Sequence, residues 1–276
     1  MNLKTANTKH MPHSRTLSVI IPAYNKDSEV FNVVSRYHKI LRKTAFDWEI
    51  IVVDDASKDK TLREAVRSKR FNGNTHRIKV YSYNLNQGKG FALYFGFKKS
   101  MGDLVLFADA DLDLTIENLP AFINTFQSAN TDIQIGSKRH PLSKVKYPIV
   151  RRFMSLSYQI LIRSLFRLNV KDTQVGLKIF KREVLSECFP RIVVKQFAFD
   201  LELLVVANML GYSVKEAPIT LNYNFSSTIR VTSIFKILVD TAAIFYRKYL
   251  LKYYDDPKNQ FEIDTLSANL FQKAQI

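Results

Sequence analysis

The chain has a single cysteine, Cys188, among its 276 residues. One cysteine excludes an internal disulfide and a multi-cysteine zinc site, and it favours a reducing compartment. We expect Cys188 to be a small buried hydrophobic residue rather than a nucleophile. The sequence also lacks the glycine fingerprint of dinucleotide-binding proteins and the eight-residue phosphate loop, which disfavours hydride transfer and ATP hydrolysis.

Long apolar runs are absent as well. The first fifteen residues carry Lys4, Lys9 and Arg15 without an apolar core, so no export signal is visible. Segments 147–167 and 229–252 are the most apolar late in the chain, but charged residues interrupt both. A membrane-spanning helix needs about 20 mostly apolar residues, so neither segment qualifies. Each is expected to form an amphipathic helix that packs on the core or lies along a membrane surface.

Acidic residues are in the minority. The chain has 41 Lys and Arg against 25 Asp and Glu, a net charge of +16. This basic excess predicts a polyanionic partner, which could be nucleic acid, an anionic lipid surface or a phosphorylated substrate. The motifs must decide among the three.

Strands and helices alternate through the first half of the chain. Apolar runs predict strands, and polar turn residues followed by amphipathic segments predict helices. The predicted strands are 17–23, 48–53, 78–83, the run from Leu104 and 132–137, and helices ending near residues 43, 69, 100 and 128 follow the first four. The pattern predicts an α/β fold with a mostly parallel, doubly wound sheet, which binds ligands outside the carboxyl ends of its strands.

The pattern changes after Lys138. The predicted elements there are helix 148–167, strand 174–180, helix 199–210, strand 214–223 and helix 229–254. No repeat and no second core pattern is present, so we expect one domain over 17–228. A flexible N-terminus, 1–16, precedes it; an amphipathic helix, 229–254, that could associate with a membrane and a polar tail, 255–276, follow it.

Three aspartates at alternate positions, Asp109, Asp111 and Asp113, follow the apolar run that begins at Leu104. Side chains alternate along an extended chain, so the three would project to one side if the strand conformation persists. Carboxylates held that close repel one another unless a cation neutralises them, which favours Mg²⁺ or Mn²⁺. A solvated acidic turn is the alternative.

Polar clusters also end the neighbouring strands. Asp54 and Asp55 close the second strand, and Lys89 lies between Gly88 and Gly90 after the third. We expect the amides around the two glycines to add positive potential. Carboxylates for a metal and a ribose, with cations for phosphate, suit a nucleotide diphosphate bridged to the protein through a metal.

Seven segments, in order, carry a family resemblance. They are 17–25, 54–57 (DDAS), 84–90 (NLNQGKG), 109–111 (DAD), 135–138 (IGSK), 172–180 (DTQVGLKIF) and 197–204 (FAFDLELL). The first four resemble the motifs of family 2 glycosyltransferases, which have the GT-A fold. The last three resemble the narrower group of dolichyl- or polyprenyl-phosphate hexosyltransferases, most nearly the β-glucosyltransferase type and more distantly the mannose synthases. The likeness covers about residues 17–254.

The resemblance implies a nucleotide diphosphate sugar as donor, a UDP-hexose in preference to a GDP-hexose. The residues implied to bind it are Pro22, Tyr24, Asn25, Glu29, Asp54, Asp55, Lys89 and Asp109. Tyr24 could instead serve packing alone.

Metal and catalytic residues are implied as well. Asp109, Asp111 and Asp113 would bind Mg²⁺ or Mn²⁺, although many relatives carry glutamine at the position of Asp113. The catalytic residues implied are Asp111, Asp172, Gln174 and Asp200, the last three facing the sugar. Asp200 could instead cap a helix, and Asp172 could stabilise a turn.

A dolichyl or polyprenyl phosphate is the implied acceptor, with Lys138, Arg139, Arg151 and Arg152 on its phosphate. Arg151 and Arg152 could equally be a solvated or lipid-facing pair. A lipid phosphate is already an oxyanion near neutral pH, so alignment and electrostatics suffice without a strong general base. Single displacement would transfer the hexose, glucose before mannose, with inversion at the anomeric carbon.

Two departures from the family pattern leave alternatives open. Residues 221–228 lack the Trp and the Gly-Ser-Lys group usual in glucosyl relatives, which leaves the sugar and the acceptor undecided, although Arg230 could partly offset the missing lysine. Relatives are often tethered by transmembrane helices, so we expect this chain on the cytoplasmic side of a membrane, attached peripherally or through a membrane-anchoring protein. The alternatives are a soluble acceptor and, more remotely, a non-enzymatic nucleic-acid-binding protein, which the acidic crevice disfavours.

Overall fold

Unbroken apolar strands need cover on both faces, and the central sheet has it. The computed structural model describes residues 16–44, 46–73, 76–146, 149–196, 198–222 and 231–256, with the backbone alone for residues 146, 149–154 and 231–234. In the sheet, Ile20 and Val53 pack on one face, while Val19, Ile21 and Val52 pack on the other. All five are fully buried, and each such side chain stabilises the fold by about 1.5–3 kcal/mol.

Seven strands form the central sheet, in the order β3-β2-β1-β4-β7-β5-β8. They are β1 (Thr16–Ala23), β2 (Asp47–Asp54), β3 (Ile78–Ser82), β4 (Leu104–Phe107), β5 (Ile133–Ser137), β7 (Lys178–Lys181) and β8 (Val214–Pro218). Two short strands, β6 (Lys144–Lys146) and β9 (Thr220–Asn222), pair in a second sheet. Only β7 is antiparallel to its neighbours in the central sheet as described, so the predicted mostly parallel α/β fold is confirmed.

Eight α-helices flank the strands within the described residues. They are α1 (Val30–Leu41), α2 (Thr61–Phe71), α3 (Lys89–Lys99), α4 (Leu119–Ser128), α5 (Ile149–Phe166), α6 (Arg182–Cys188), α7 (Phe199–Met209) and α8 (Val231–Phe245). Short 3₁₀ turns cover Ile116–Asn118, Phe189–Arg191 and Tyr253–Asp255, and a π-helical turn covers Tyr246–Leu250. None of the described helices is long and apolar enough to cross a bilayer.

Parallel register brings the polar strand ends to one edge of the sheet. Ala23 of β1 pairs with Asp54 of β2, and Asp54 pairs with Ser82 of β3. On the other side of β1, Ile20 pairs with Phe107 at the end of β4. The loops after these four strands therefore emerge side by side, as the alternating pattern predicted.

Four predicted elements differ clearly from the structure. The predicted strand 214–223 is divided into β8 and β9, which belong to different sheets. Strand β4 stops at Phe107, so the extended conformation does not persist through the three aspartates. The predicted strand 174–180 begins only at Lys178, since Asp172 accepts a hydrogen bond from the amide of Gln174 at 3.2 Å and holds the preceding residues in a loop. The predicted helix 229–254 ends as an α-helix at Phe245.

The segment after Phe245 turns back because it is tied to helix α7. Glu202 is fully buried and accepts hydrogen bonds from Arg247 at 3.1 Å and from the Tyr254 hydroxyl at 2.5 Å. Its other oxygen accepts the amides of Val193 and Val194 at 3.0 and 2.6 Å. These bonds place the end of α8 against α7.

Helix α6 and strand β6 were not predicted, because each is too short for a periodic signal. Cys188 ends α6 and is fully buried. Its expected burial is confirmed, and burial raises the pKa of its thiol to about 12, which disfavours the reactive thiolate.

Candidate active site

A cleft of about 530 Å³ opens at the carboxyl edge of the central strands. The predicted site residues that line it are Pro22, Tyr24, Asp55, Lys89, Asp109, Asp111, Gln174 and Asp200. Lining residues that were not predicted as site residues include Lys26, Asn86, Gln196 and Ile237. Residues more than 200 positions apart thus meet in one cavity, and Ile237 places helix α8 at its rim.

Asp55 builds the loop after β3. Its carboxylate accepts hydrogen bonds from the Tyr83 hydroxyl at 2.8 Å, the Asn86 amide at 3.0 Å, and the backbone amides of Gln87 and Gly88 at 2.7 and 2.9 Å. Burial nevertheless raises the pKa of Asp55 above its ordinary value. With both oxygens engaged, Asp55 shapes this wall of the cleft.

Its neighbour Asp54 is less fully bonded. Asp54 is buried, and one carboxylate oxygen accepts the Ser82 hydroxyl at 2.9 Å. The other oxygen is buried without a hydrogen-bond partner. A buried acceptor without a partner is costly and common at ligand sites, although Asp54 lies behind the residues that line the cleft.

Asn25 and Glu29 hold the loop after β1. Asn25 has a positive φ of 51°. Its side-chain oxygen accepts a hydrogen bond from the backbone amide of Lys58 at 2.9 Å, and its backbone amide donates one to the Ser57 hydroxyl at 3.0 Å. Glu29 pairs with Lys26 at 2.7 Å. Asn25 and Glu29, which were predicted to bind the nucleotide sugar, thus position the wall of the cleft. Tyr24 is 42% exposed at the mouth of the cleft.

The three aspartates leave a surplus of negative charge. Burial, together with the charges of Asp109 and Asp113, raises the pKa of Asp111 to about 6, and Lys26 opposes this only in part. Within the described residues, no three His, Cys, Asp or Glu side chains are arranged to hold a metal ion by themselves. Oxygen donors and a negative charge that Lys26 offsets only in part still fit a hard divalent cation, whose remaining ligands a diphosphate would supply.

Lys89 joins the aspartates to the other wall. Its ammonium donates to Asp109 at 2.7 Å and lies 3.6 Å from Asp200. Burial alone would lower the pKa of Lys89, but the two carboxylates outweigh it and hold the pKa above its ordinary value. Asp200 in turn pairs with Lys178 at 2.6 Å, and the two lysines hold the pKa of Asp200 below its usual range despite burial. At the other end of this pair, burial outweighs the attraction of Asp200 and lowers the pKa of the Lys178 ammonium.

The amides near Lys89 are not free to bind phosphate, contrary to the sequence expectation. The Gly88 amide donates to Asp55, and the Gly90 amide donates to the Lys195 carbonyl at 2.8 Å. Gly88 has a φ of 92°, and a Cβ there would lie 2.7 Å from the same carbonyl. The Gly88 and Gly90 amides are thus occupied by hydrogen bonds within the protein. The positive charge at this point of the cleft comes from Lys89.

Gly176 leaves room for the Asp109 carboxylate. A Cβ placed at Gly176 would overlap all three atoms of that group. The loop that contains Gln174 and Gly176 therefore packs directly on the first aspartate of the acidic motif. A side chain here would displace Asp109.

Asp172 supports the predicted acceptor side. It is buried, accepts the backbone amide of Lys138 at 3.1 Å, and lies 3.5 Å from the Lys138 ammonium. Arg139 donates to the Ser155 hydroxyl of α5 at 2.9 Å. Asp172 is thus held behind the lining of the cleft, whereas Gln174 lines it.

Some predicted residues lie outside the described part of the molecule. Arg151 and Arg152 fall in helix α5, where the backbone alone is described. Segment 223–230, which contains Arg230, is also outside it, as are residues 1–15 and 257–276.

Two residues of the site were missed although the sequence contained a signal. Gly176 and Lys178 both lie in the segment 172–180 that carried part of the resemblance. A lysine within an apolar strand pattern and a glycine just before it are unusual, and each has a structural cause here. Lys26 and Ile237 had no comparable signal.

The chain was also compared with known proteins. The family model "Glycosyl transferase family 2" matches residues 18–189, more than half of the chain. A dolichyl-phosphate beta-glucosyltransferase of Trichomonas vaginalis is 32% identical over 272 residues, covering 93% of this chain and 80% of the relative. The human dolichyl-phosphate beta-glucosyltransferase is 31% identical, covering 74% and 66%.

Solved structures share the fold. Glucosyl-3-phosphoglycerate synthase from Mycobacterium tuberculosis, crystallised with Mn²⁺, UDP-glucose and phosphoglyceric acid, has a TM-score of 0.61 at 17% identity and covers 84% of this chain and 79% of its own. Mannosyl-3-phosphoglycerate synthase from Rubrobacter xylanophilus has a TM-score of 0.65 at 19% identity, covering 85% and 74%. The GT-A fold expected from the motifs is confirmed. With its acidic strand end, its family match and relatives above 30% identity, the chain belongs to glycosyl transferase family 2.

Proposed function

We propose that this protein transfers a glucosyl residue from UDP-glucose to a dolichyl or polyprenyl phosphate, with inversion at the anomeric carbon. The carrying observation is the cleft in which Asp109 and Asp111 face Lys89 and Asp200. The relatives named as dolichyl-phosphate beta-glucosyltransferases support the choice of sugar and acceptor. Mannose from GDP-mannose is the second choice of donor.

The donor side is suited to a nucleotide diphosphate. Asp54, with a buried oxygen that has no partner, is proposed to support the wall of the nucleoside pocket from behind the residues that line the cleft. Asp109 and Asp111 would hold Mg²⁺ or Mn²⁺ together with the diphosphate, with Asp113 beside them. When bound, the cation supplies Lewis-acid stabilisation of the departing nucleotide.

The acceptor needs little activation. A phosphate monoester carries its negative charge near neutral pH, so the attacking oxygen requires alignment rather than deprotonation. Lys138 and Arg139 are the proposed phosphate contacts, with Arg151 and Arg152 as further candidates. Gln174 and Asp200 line the cleft between the two sides and are proposed to orient the sugar.

Helices α5 and α8 are proposed to hold the protein at the cytoplasmic face of a membrane. They pack together through Tyr158 and Thr241, whose hydroxyls lie 2.9 Å apart. Large apolar side chains that stay exposed on α5, on α8 and just after it are Leu156, Ile160, Leu161, Phe235, Leu238, Val239, Tyr246, Tyr249, Leu250 and Leu251. This surface adjoins the rim of the cleft at Ile237, and apolar groups with a basic protein charge suit an anionic bilayer.

The reaction is tested with purified full-length protein and Mg²⁺. UDP-glucose, GDP-mannose and UDP-N-acetylglucosamine are each incubated with a polyprenyl phosphate, and the released nucleotide and glycolipid are measured. We expect UDP and a glucosylated lipid only when UDP-glucose and the lipid phosphate are both present. Nucleotide release that does not depend on the lipid would indicate transfer of the sugar to water or to another soluble acceptor and contradict the proposal.

Membrane attachment is tested by sedimentation with vesicles. We expect the protein to bind vesicles rich in phosphatidylserine and to bind neutral vesicles weakly. The double variant Ile160→Ser, Phe235→Ser should bind at least about 100-fold more weakly, because burial of each large apolar side chain contributes on the order of 1.5–3 kcal/mol and about 1.4 kcal/mol is tenfold in affinity. Met101→Ser is the matched control, since Met101 is 74% exposed and lies away from both helices. Equal binding by the double variant and this control would rule out the surface.

A further inference from the structure

Four alternating charges run from the core of the protein to the cleft. The Lys178 ammonium donates to one oxygen of Asp200 at 2.6 Å, and the other oxygen lies 3.6 Å from the Lys89 ammonium. Lys89 in turn donates to Asp109 at 2.7 Å. The outer pair is about one-third exposed, whereas the inner lysine is fully buried.

Full burial of Lys178 calls for a physical explanation. An ammonium group taken from water is unfavourable unless it is paired and hydrogen-bonded, and an apolar side chain would fill the same space without that penalty. Its neighbours on β7, Ile179 and Phe180, are apolar and equally buried. The Lys178 ammonium donates hydrogen bonds to Asp200 and to the Val175 carbonyl, each at 2.6 Å.

The antiparallel strand β7 places Lys178 where only the tertiary fold could bring it. Lys178 pairs with Phe107, the last residue of β4 and two positions before Asp109. The Val175 carbonyl that it binds belongs to the loop that packs on Asp109 through Gly176. Lys178 therefore contacts Asp200, which lies beside Lys89, and also the loop that packs on Asp109.

Replacement of Lys178 by an uncharged residue would remove one of the two cations that lie near Asp200. Among the residues described, Lys89 would then be the cation left beside it. An uncompensated buried carboxylate attracts the nearest ammonium strongly because screening is weak inside the protein. Lys89 would then move toward Asp200 and away from Asp109. The acidic motif would lose its counter-charge and its fixed position.

We propose that Lys178 is a positioning residue, which holds Asp200 so that Lys89 stays on Asp109 at the cleft. Its consequence for sugar transfer rests on the proposed function, while its consequence for the position of Lys89 does not. Lys178 touches neither donor nor acceptor in this scheme and acts through Asp200.

The first test compares two lysines of the same strand. Lys178→Met should lower kcat about 100-fold, as expected for a misplaced catalytic group, with the KM for the sugar nucleotide changed by less than about threefold. Lys181→Met is the matched control. Lys181 lies on the same strand as Lys178, and its substitution breaks a 2.7 Å ion pair with Asp132 that is away from the cleft. It should keep kcat within about threefold. Equal kcat in Lys178→Met and the wild type would overturn the proposal.

A second test measures coupling with Lys89→Met. If Lys178 acts through Lys89, the double variant should lose little more kcat/KM than Lys89→Met alone, whereas Lys181→Met should combine with Lys89→Met additively. Additive losses for Lys178→Met would contradict transmission through Lys89 and indicate a general effect on folding. Lys178→Gln, which keeps donors for both oxygens and removes the charge, replaces Lys178→Met if that variant does not fold.

A crystal structure of the Lys178 variant separates this inference from the proposed function. We expect the Lys89 ammonium within hydrogen-bonding distance of Asp200 and no longer bonded to Asp109. Lys89 unmoved on Asp109 would overturn the inference, whatever the enzyme transfers. Failure of the wild-type protein to glucosylate a lipid phosphate would overturn the proposed function and leave this structural outcome to decide the inference.

Discussion

The two edges of the central sheet use carboxylates in opposite ways. At the edge away from the cleft, Glu49 accepts hydrogen bonds from Ser18 at 2.6 Å and from Lys79 and the Met101 amide at 2.7 Å each. Burial acts to raise the pKa of Glu49, but these bonds outweigh it and hold the pKa below its ordinary value. Here a buried carboxylate joins β1, β2, β3 and the turn before β4.

At the cleft edge the balance is reversed. Asp111 is surrounded by Asp109 and Asp113, with Lys26 as a partial counter-charge, and its pKa is raised to about 6 by burial and by these carboxylates. Residues of the same chemical type thus stabilise the fold at one edge and are left short of positive charge at the other. A shortage of this kind favours a ligand that brings cations, at a cost to the stability of the free protein.

The largest effect on activity is expected when one negative charge is removed from the acidic motif. Asp111→Asn should reduce sugar transfer at least 1,000-fold, roughly the scale of losing an electrostatic group at a reacting centre, and should abolish metal-dependent donor binding. Its thermal midpoint should be equal to or above that of the wild type, because a repulsion is relieved. Activity assays, calorimetric titration with UDP-glucose and thermal unfolding measure the three quantities.

Asp103→Asn is the control for that variant. Asp103 precedes β4 at the opposite end and accepts the Thr16 amide at 3.0 Å, far from the acidic motif. It should keep full activity. Full turnover by Asp111→Asn would disprove the metal assignment, and a large loss of stability would disprove the difference between the two edges.

A steric change at the cleft should have the next largest effect. Gly176→Ala forces the Asp109 carboxylate to move, so we expect activity to fall about 10- to 100-fold while the protein stays folded. Gly73→Ala is the matched control: its φ of 65° makes alanine cost about 1–2 kcal/mol in unfolding free energy, but its Cβ meets no atom within 4 Å. Steady-state kinetics and urea unfolding on both variants distinguish the two effects. Wild-type activity in Gly176→Ala would show that Asp109 tolerates displacement.

The smallest effect on activity is expected at the opposite edge. Glu49→Gln should lower the free energy of unfolding by about 1–3 kcal/mol near neutral pH, since it weakens charged hydrogen bonds to a buried group, and should leave kcat/KM within about twofold. The folded pKa of Glu49 lies below the unfolded value of 4.5, so its stabilisation is present above that pH and is lost as the pH falls through the folded pKa. The variant should therefore lose less stability on acidification than the wild type, as measured by urea unfolding from pH 7 downward. Parallel pH profiles would contradict this role.

Much of the donor half could be predicted from the sequence because its signals are local. The buried runs of β1, β2 and β4 and the polar residues after them follow from hydrophobic periodicity, and parallel strands bring such ends together. Asp55, Lys89, Asp109 and Asp111 accordingly line one cleft. The same reasoning could not tell that Asp55 is saturated by the loop after β3, because its hydrogen-bond partners are known only once that loop folds back.

The C-terminal half was harder to predict for a physical reason. Strand β7 is short and enters the sheet antiparallel, so the segment 172–180 carries no period that separates its loop from its strand. Glu202 reads as an ordinary helix residue, yet it fixes Arg247 and Tyr254 and so decides where the chain leaves α8. Side chains that act across such distances have no sequence spacing to reveal them.

The sequence by itself determined the α/β architecture, the acidic strand end and the family, because strand alternation and ordered motifs are written locally along the chain. Only the tertiary structure decided which charges pair. Lys178 on strand β7 reaches Asp200 on helix α7, and Lys89 at the start of helix α3 reaches Asp109 in the loop after β4. Electrostatic pairing depends on distance and burial, so the balance of charge in the cleft exists only after these elements pack.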